Sequence, residues 1–231
     1  MLRLTDGILY TEPREDTDRP VLAIITGSKR SLMVDGGNSP RHAEAFLDEV
    51  RHYQLMPDFV ALTHAHCDHI FGLSSLDSVI VTNKITNDRM MELQQLRWDD
   101  DSVAARVTNG QEHEMTAHML KMEMPGDRRG FRICSPDLIY ESKLAIDLGD
   151  LTCHIQWIGG DHAPDSAVIY VPERKVAFIG DCLYLRHTDR TTVRKLSEQL
   201  LSFPADVYVD SHEAEPISRT ELMEKLHNLE K

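Results

Sequence analysis

The sequence predicts an α+β protein in which two strand-rich halves flank a helical insertion. Apolar runs of strand character recur between short turns over residues 8–63 and return over 144–179. Between them, over about 85–123, apolar residues fall instead at helical intervals. The 231 residues are 41% hydrophobic, enough for one core, so a single domain spanning 1–231 is expected. The strand–helix–strand order suits a pseudo-symmetric sandwich.

In chain order, Ile8 to Thr11, Val21 to Ile25, Ser31 to Val34 and Phe59 to Thr63 have the β-branched, turn-bounded character of strands in a mixed sheet. Ser39 is an N-cap and Pro40 a first-turn residue for a helix through Leu55, in which Ala43, Phe46, Leu47 and Val50 form one apolar face. The insertion reads as two helices joined at Asn109-Gly110, with Met90, Met91, Met115, Met119 and Met122 along them. Strands return at Leu144 to Leu148, Leu151 to Trp157, Ala167 to Val171 and Val176 to Ile179, with turns at Gly149-Asp150 and Pro172-Glu173. A helix near Arg190 to Leu201, a strand Val207 to Asp210 and a helix from about Pro216 end the chain, the last with Ser218 and Glu221 at capping-box spacing.

The formal net charge of −13 argues against an extended phosphate-binding surface, so no nucleic-acid partner is expected. Met1 to Asp6 lacks an apolar signal run and no later stretch suits a membrane span, which predicts a soluble, cytoplasmic protein that does not engage membranes. Cys67, Cys134, Cys153 and Cys182 form no CxxC pair and read as small reduced thiols.

The chemistry concentrates in Thr63-His64-Ala65-His66-Cys67-Asp68-His69, directly after a strand. Side chains two apart on extended chain point the same way, so His64 and His66 can share one cation, and a turn can aim Asp68 and His69 at a second. Imidazole and carboxylate suit zinc, and also iron or manganese. This H-x-H-x-D-H run resembles the signature of the metallo-β-lactamase superfamily. The resemblance extends to His162 in Gly160-Asp161-His162-Ala163-Pro164, Asp181 after Gly180 at a strand end, and His212 after the strand Val207 to Asp210. It implies an αβ/βα four-layer sandwich and two divalent metal ions. His64, His66 and His162 would bind the first, Asp68, His69 and His212 the second, with Asp181 bridging. Asp35, in Val34-Asp35-Gly36-Gly37, resembles an early strand-end aspartate of the family and would either orient a ligand histidine or simply make a turn. His42, His52, His113, His118, His154, His187 and His227 are assigned to surface or packing, and Asp99-Asp100-Asp101 to a solvated helix end.

Two cations roughly 3.5 to 4 Å apart acidify a bridging water and clamp a developing oxyanion. The expected function is therefore hydrolysis of a small ester, thioester or lactone by a metal-bridging hydroxide. Asp68 would shuttle the proton, and Tyr184, at lactonase-like spacing after Asp181, would donate a hydrogen bond to the oxyanion. An aspartate bridge resembles glyoxalase II, the lactonases and the phosphodiesterases more than cysteine-liganded β-lactamases. The lack of a signal run points away from antibiotics, and the short segment after His212 points away from glutathione. A phosphodiesterase is the alternative, and a catalytically idle metal-binding sensor a third reading. The sequence departs from the family pattern at Asp161 and Asp165, which are expected to shape the site's entrance. The insertion is a candidate substrate roof whose methionines would accept an acyl chain or a partner subunit, leaving a homodimer open.

Overall fold

Two sheets face each other across a shared apolar layer, and each carries helices on its outer side. In this computed structural model, which describes residues 1–187 and 189–229, the first sheet runs β1 (Leu2–Thr5), β2 (Ile8–Tyr10), β3 (Ala23–Thr26), β4 (Ser31–Val34), β5 (Phe59–Ala61), β6 (Val79–Asn83) and β7 (Leu138–Tyr140) in that spatial order. Neighbours are antiparallel through β4 and parallel from β4 to β7. The second sheet is ordered β13 (Ile217–Ser218), β12 (Val207–Asp210), β11 (Val176–Gly180), β10 (Ala167–Val171), β9 (Thr152–Trp157), β8 (Lys143–Asp147), with only β11 and β12 parallel.

Period-two alternation sorts the side chains into layers. Ala23, Ile25, Leu32 and Val34 meet Ile169, Val171, Val176 and Phe178 between the sheets. Ile24, Met33, Val60 and Leu62 point the other way, onto α1 (Pro40–His52), whose Phe46, Leu47 and Val50 join them. Val168, Tyr170, Ala177 and Ile179 pack outward with Leu196 and Leu200 of α6 (Arg190–Leu201) and Leu222 and Leu226 of α7 (Arg219–Leu229). The result is the expected four-layer sandwich.

Capping follows the sequence closely. Ser39 Oγ accepts from His42 N at 3.0 Å to start α1. Ser218 and Glu221 bond reciprocally, Ser218 N to Glu221 Oε2 at 2.8 Å and Glu221 N to Ser218 Oγ at 3.2 Å. The insertion departs from expectation: it holds three helices, α3 (Lys84–Gln94), α4 (Asp100–Thr108) and α5 (Glu114–Glu123). Asp99, expected in a solvated run, takes Ser102 N on its carboxylate and restarts the helix. Asp100 instead pairs with the buried guanidinium of Arg128. Met90 and Met119 are core, whereas Met91 and Met122 are exposed. Among the described residues, no helix is long and apolar enough to cross a membrane.

Candidate metal centre

The predicted site residues sit on loops leaving the strands at one end of the sandwich. The segment after β5 carries His64 and His66 in extended chain, then a single helical turn, α2 (Cys67–Ile70), that turns Asp68 and His69 inward. The β9–β10 loop brings His162, the end of β11 brings Asp181, and the segment after β12 brings His212. Gly180 makes the Asp181 placement feasible. It adopts φ 56°, and a Cβ there would lie 2.9 Å from Thr63 Cβ.

All seven side chains meet, in two groups that share Asp181: His64, His66, His162 and Asp181, and Asp68, His69, Asp181 and His212. In the first, His66 Nδ1 lies 3.0 Å from both His64 Nε2 and His162 Nε2, and Asp181 Oδ2 is 3.8 Å and 3.4 Å from the latter two. In the second, Asp68 Oδ2 is 3.0 Å from His69 Nε2 and 3.1 Å from His212 Nε2, and Asp181 Oδ2 is 3.5 Å from His212 Nε2.

Hydrogen bonds on the far sides of the rings set their tautomers. Asp35 is wholly buried at φ 59°, with Oδ1 accepting from Thr63 N at 2.7 Å and Oδ2 from Thr63 Oγ1 at 2.8 Å and His69 Nδ1 at 2.9 Å. It therefore makes a turn and orients a histidine, both readings at once. With its own proton given to Asp35, Thr63 Oγ1 accepts from His64 Nδ1 at 3.1 Å. His162 Nδ1 donates to the Tyr184 carbonyl at 3.1 Å. In its neutral form each of these three rings presents an unprotonated Nε2 to the cluster.

These lone pairs have too few protons to meet. One proton on His66 Nδ1 can serve His64 or His162 but not both. His69 Nε2 and Asp181 Oδ1, 3.4 Å apart and buried, have no hydrogen-bond partner, their approach being out of line for one. Convergent, desolvated lone pairs of this kind fit divalent cations. The electrostatics agree. Burial, then the neighbouring imidazole of His69, holds His64 well below the usual range, and burial with His162 lowers His66 to about 4. Burial also lowers His162. Burial opposes protonation of His69 and His212 too, but Asp68 and Asp181 outweigh it, raising His69 well above its ordinary value and His212 to about 10. The second group thus attracts positive charge, and the first holds neutral imidazoles ready.

A sequence profile of the metallo-beta-lactamase superfamily matches residues 17–229. The chain belongs to the metallo-beta-lactamase superfamily. Solved structures agree on the fold. A metallo-beta-lactamase from Pontibacter korlensis superposes with a TM-score of 0.64 at 17% identity, covering 98% of this chain and 96% of that one. A metallo-beta-lactamase family protein from Thermus thermophilus gives 0.66 at 18% identity, with 98% and 79% covered. A stereoselective inverting sec-alkylsulfatase from Pseudomonas sp. gives 0.67 at 16% identity over 98% of this chain but 40% of its own. No curated protein matches by sequence.

Above the two donor groups of this superfamily member opens a cleft of about 1080 Å³. Leu93, Leu96, Met115 and Met119 of the insertion form an apolar wall, while Glu15 and Asp18 of the loop before β3 face it. Tyr184 stands at the mouth, 46% exposed, its ring 5.8 Å from that of His212 and 6.4 Å from that of His162. Burial, then Asp210 and Glu213, raises its hydroxyl well above the usual phenol range, so it stays a donor.

One expectation about the entrance needs correction. Asp165 is buried, and its Oδ2 accepts from Ala65 N at 2.8 Å and Thr86 Oγ1 at 3.0 Å, which makes it a clamp beneath the histidine loop. Asp161, by contrast, acts at the entrance as expected of it, through the chain: it accepts from the backbone N–H groups of Arg186 and His187, and Arg186 lines the cleft. The histidines assigned to surface or packing belong to neither donor group among the described residues. Three participants went unread in the sequence: Thr63, Asp210, whose Oδ1 accepts from His212 N at 3.0 Å, and Asp18 in the cleft. Thr63 and Asp210 flank ligands at strand ends, a readable signal; Asp18 had none.

Proposed function

We propose that this chain is a dinuclear metal-dependent hydrolase of small esters, thioesters or lactones. The observation that carries the reading is Asp181, shared by both donor groups, with a buried oxygen that no protein donor satisfies. His64, His66 and His162 would hold one cation and Asp68, His69 and His212 the other, with Asp181 between them. Zinc suits these donors, with iron or manganese as alternatives. Two such cations, when bound, supply an acidified water and a Lewis-acid clamp for negative charge.

The chain's own residues do the rest. Asp35 and the Tyr184 carbonyl keep His69 and His162 in the tautomers that present Nε2. Asp68, at the cleft floor, takes the proton released on attack and returns it to the leaving group. The Tyr184 hydroxyl donates to the carbonyl oxygen as it gains charge. The apolar wall of the insertion receives the acyl part and sheds water from it.

The test is a substrate panel with the zinc-loaded protein: aryl esters, thioesters, lactones and bis-aryl phosphates. Turnover of one of the first three is expected, with Tyr184→Phe lowering kcat/KM by roughly 10²-fold. Activity confined to the phosphates would replace the acyl reading with a phosphodiesterase. An unchanged kcat/KM in Tyr184→Phe would remove that residue from the reaction.

A further inference from the structure

Asp18 combines a backbone that the fold fixes firmly with a carboxylate that has no hydrogen-bond or ion-pair partner among the described residues. It closes a short helical turn in the left-handed region at φ 55°, its N–H bonded to the Glu15 carbonyl at 3.3 Å. From below, the fully buried Asn38 holds the chain through Nδ2, at 2.7 Å from the Thr17 carbonyl and 3.2 Å from that of Asp18. The next residue, Arg19, makes a two-pronged bond to the buried Glu123 carboxylate at 2.8 and 2.7 Å, joining this loop to the end of α5 across 104 residues of sequence. The loop and the insertion are thereby locked as opposite walls of one cleft.

On this scaffold the Asp18 carboxylate lines the cleft and feels Asp68, His212, His69 and Asp181, the members of the second donor group. It forms no hydrogen bond or ion pair among the described residues, nor does it belong to either donor group. Cations held by the two donor groups would meet the charge of Asp68 and Asp181, which ligate them, but give Asp18, which belongs to neither group, no direct partner; a carboxylate half-removed from water is best satisfied by a donor or cation that contacts it. Glu15 extends the same sign along the rim; of the cleft arginines, Arg89 on the insertion is already paired with Glu92 at 2.7 Å, and Arg186 stands on the Tyr184 side of the cleft.

We infer that Asp18 determines specificity by accepting a protonated amine carried on the substrate beside its scissile group, so that the cleft favours amino-bearing substrates and disfavours anionic ones. This rests on the hydrolase reading for the word substrate, but not for the binding it claims.

Calorimetry with the full-length, zinc-loaded protein tests it, using three hydroxamates of equal chain length that end in an ammonium, a methyl or a carboxylate. The hydroxamate seeks the cations, and the tail reports on Asp18 whether or not anything is hydrolysed. The ammonium ligand should bind about tenfold or more tighter than the carboxylate one, a difference of about 1.4 kcal/mol or more. Asp18→Asn, which tolerates the left-handed backbone, should bring the two within about twofold. An identical ranking in wild type and Asp18→Asn overturns the inference. So does loss of a zinc equivalent in Asp18→Asn, which would make Asp18 a ligand. The predicted ranking without turnover of any ester upholds Asp18 and removes the hydrolase reading. Failure of all three hydroxamates to bind overturns both.

Discussion

At the scale of single residues, the centre depends on which nitrogen of each imidazole carries its proton, and Asp35 decides this for His69. Both Asp35 oxygens are used, on Thr63 N, Thr63 Oγ1 and His69 Nδ1, and the side chain is wholly buried. Asp35→Asn keeps the shape and tolerates the positive φ, but turns an NH₂ toward His69 Nδ1. That histidine must then lose a bond or move its proton to Nε2, the atom the second cation needs. Affinity for the second metal equivalent should fall 10- to 100-fold, roughly, with about 1–3 kcal/mol of stability lost, as chelator competition and urea unfolding would register. Unaltered binding of the second equivalent would show that Asp35 serves only the turn. The role was half legible: Val34-Asp35-Gly36-Gly37 announces a strand end, but nothing local says which of several histidines the aspartate will face.

At the scale of elements, Asp165 ties three of them together. Its carboxylate accepts from Ala65 N, between two of the histidines, and from Thr86 in α3, while its carbonyl takes Asn83 Nδ2 at the end of β6. Asp165→Ala strands a buried backbone N–H in the histidine loop and should destabilise the protein by about 1.5–3 kcal/mol, the range for bonds to a charged group. Asp165→Asn, which still offers an acceptor, should recover most of that. Equal stability of the wild type and the alanine variant in urea would return Asp165 to the entrance role that the sequence suggested. The error has a physical origin. A carboxylate next to a ligand loop reads as exposed by default, and only its partner 100 residues earlier reveals that it is satisfied in the interior. Local signals fared better: the Ser39 cap, the Ser218–Glu221 box, β4 and β12 lie where their residues place them. The insertion was misjudged because Asp99, inside a charged run, caps a third helix that periodicity alone merges with its neighbour. The β-branched run Val79-Ile80-Val81-Thr82 announced β6 and went unread, whereas the three-residue β7 carries no alternation and shows only through its parallel pairing.

For the whole molecule, the two halves of the sandwich contribute to the centre unequally. The first sheet's loops supply His64, His66, Asp68 and His69; the second's supply His162, Asp181 and His212. Each donor group draws on both, so bound cations would staple one end of the sandwich while the apolar layer between the sheets holds the remainder. At a metal activity 1,000-fold above Kd the linkage of even one such cation amounts to about 4.1 kcal/mol, which sets the minimum that chelation removes. With roughly 2–4 °C per kcal/mol for a chain of this size, chelation should lower Tm by about 8–16 °C and leave the far-ultraviolet dichroism nearly unchanged below the transition. A chelated protein with the Tm of the zinc-loaded one would mean that no cation links the halves. Acid should erode the chelated form further, through a group outside the centre. His42 is buried in the first turn of α1, its Nδ1 accepting from Asn38 N at 3.4 Å, and burial, then Arg19, lowers its pKa from 6.5 to about 3. Between those values the unfolded chain binds a proton that the native ring refuses, so this contribution is complete above pH 6.5 and is lost as pH falls toward 3, by up to about 1.4 kcal/mol per pH unit. His42→Gln removes one titrating group and should flatten that part of the Tm-versus-pH curve; an unchanged slope would place the acid sensitivity in the buried His64 and His66 of the metal-free centre or in the paired carboxylates instead.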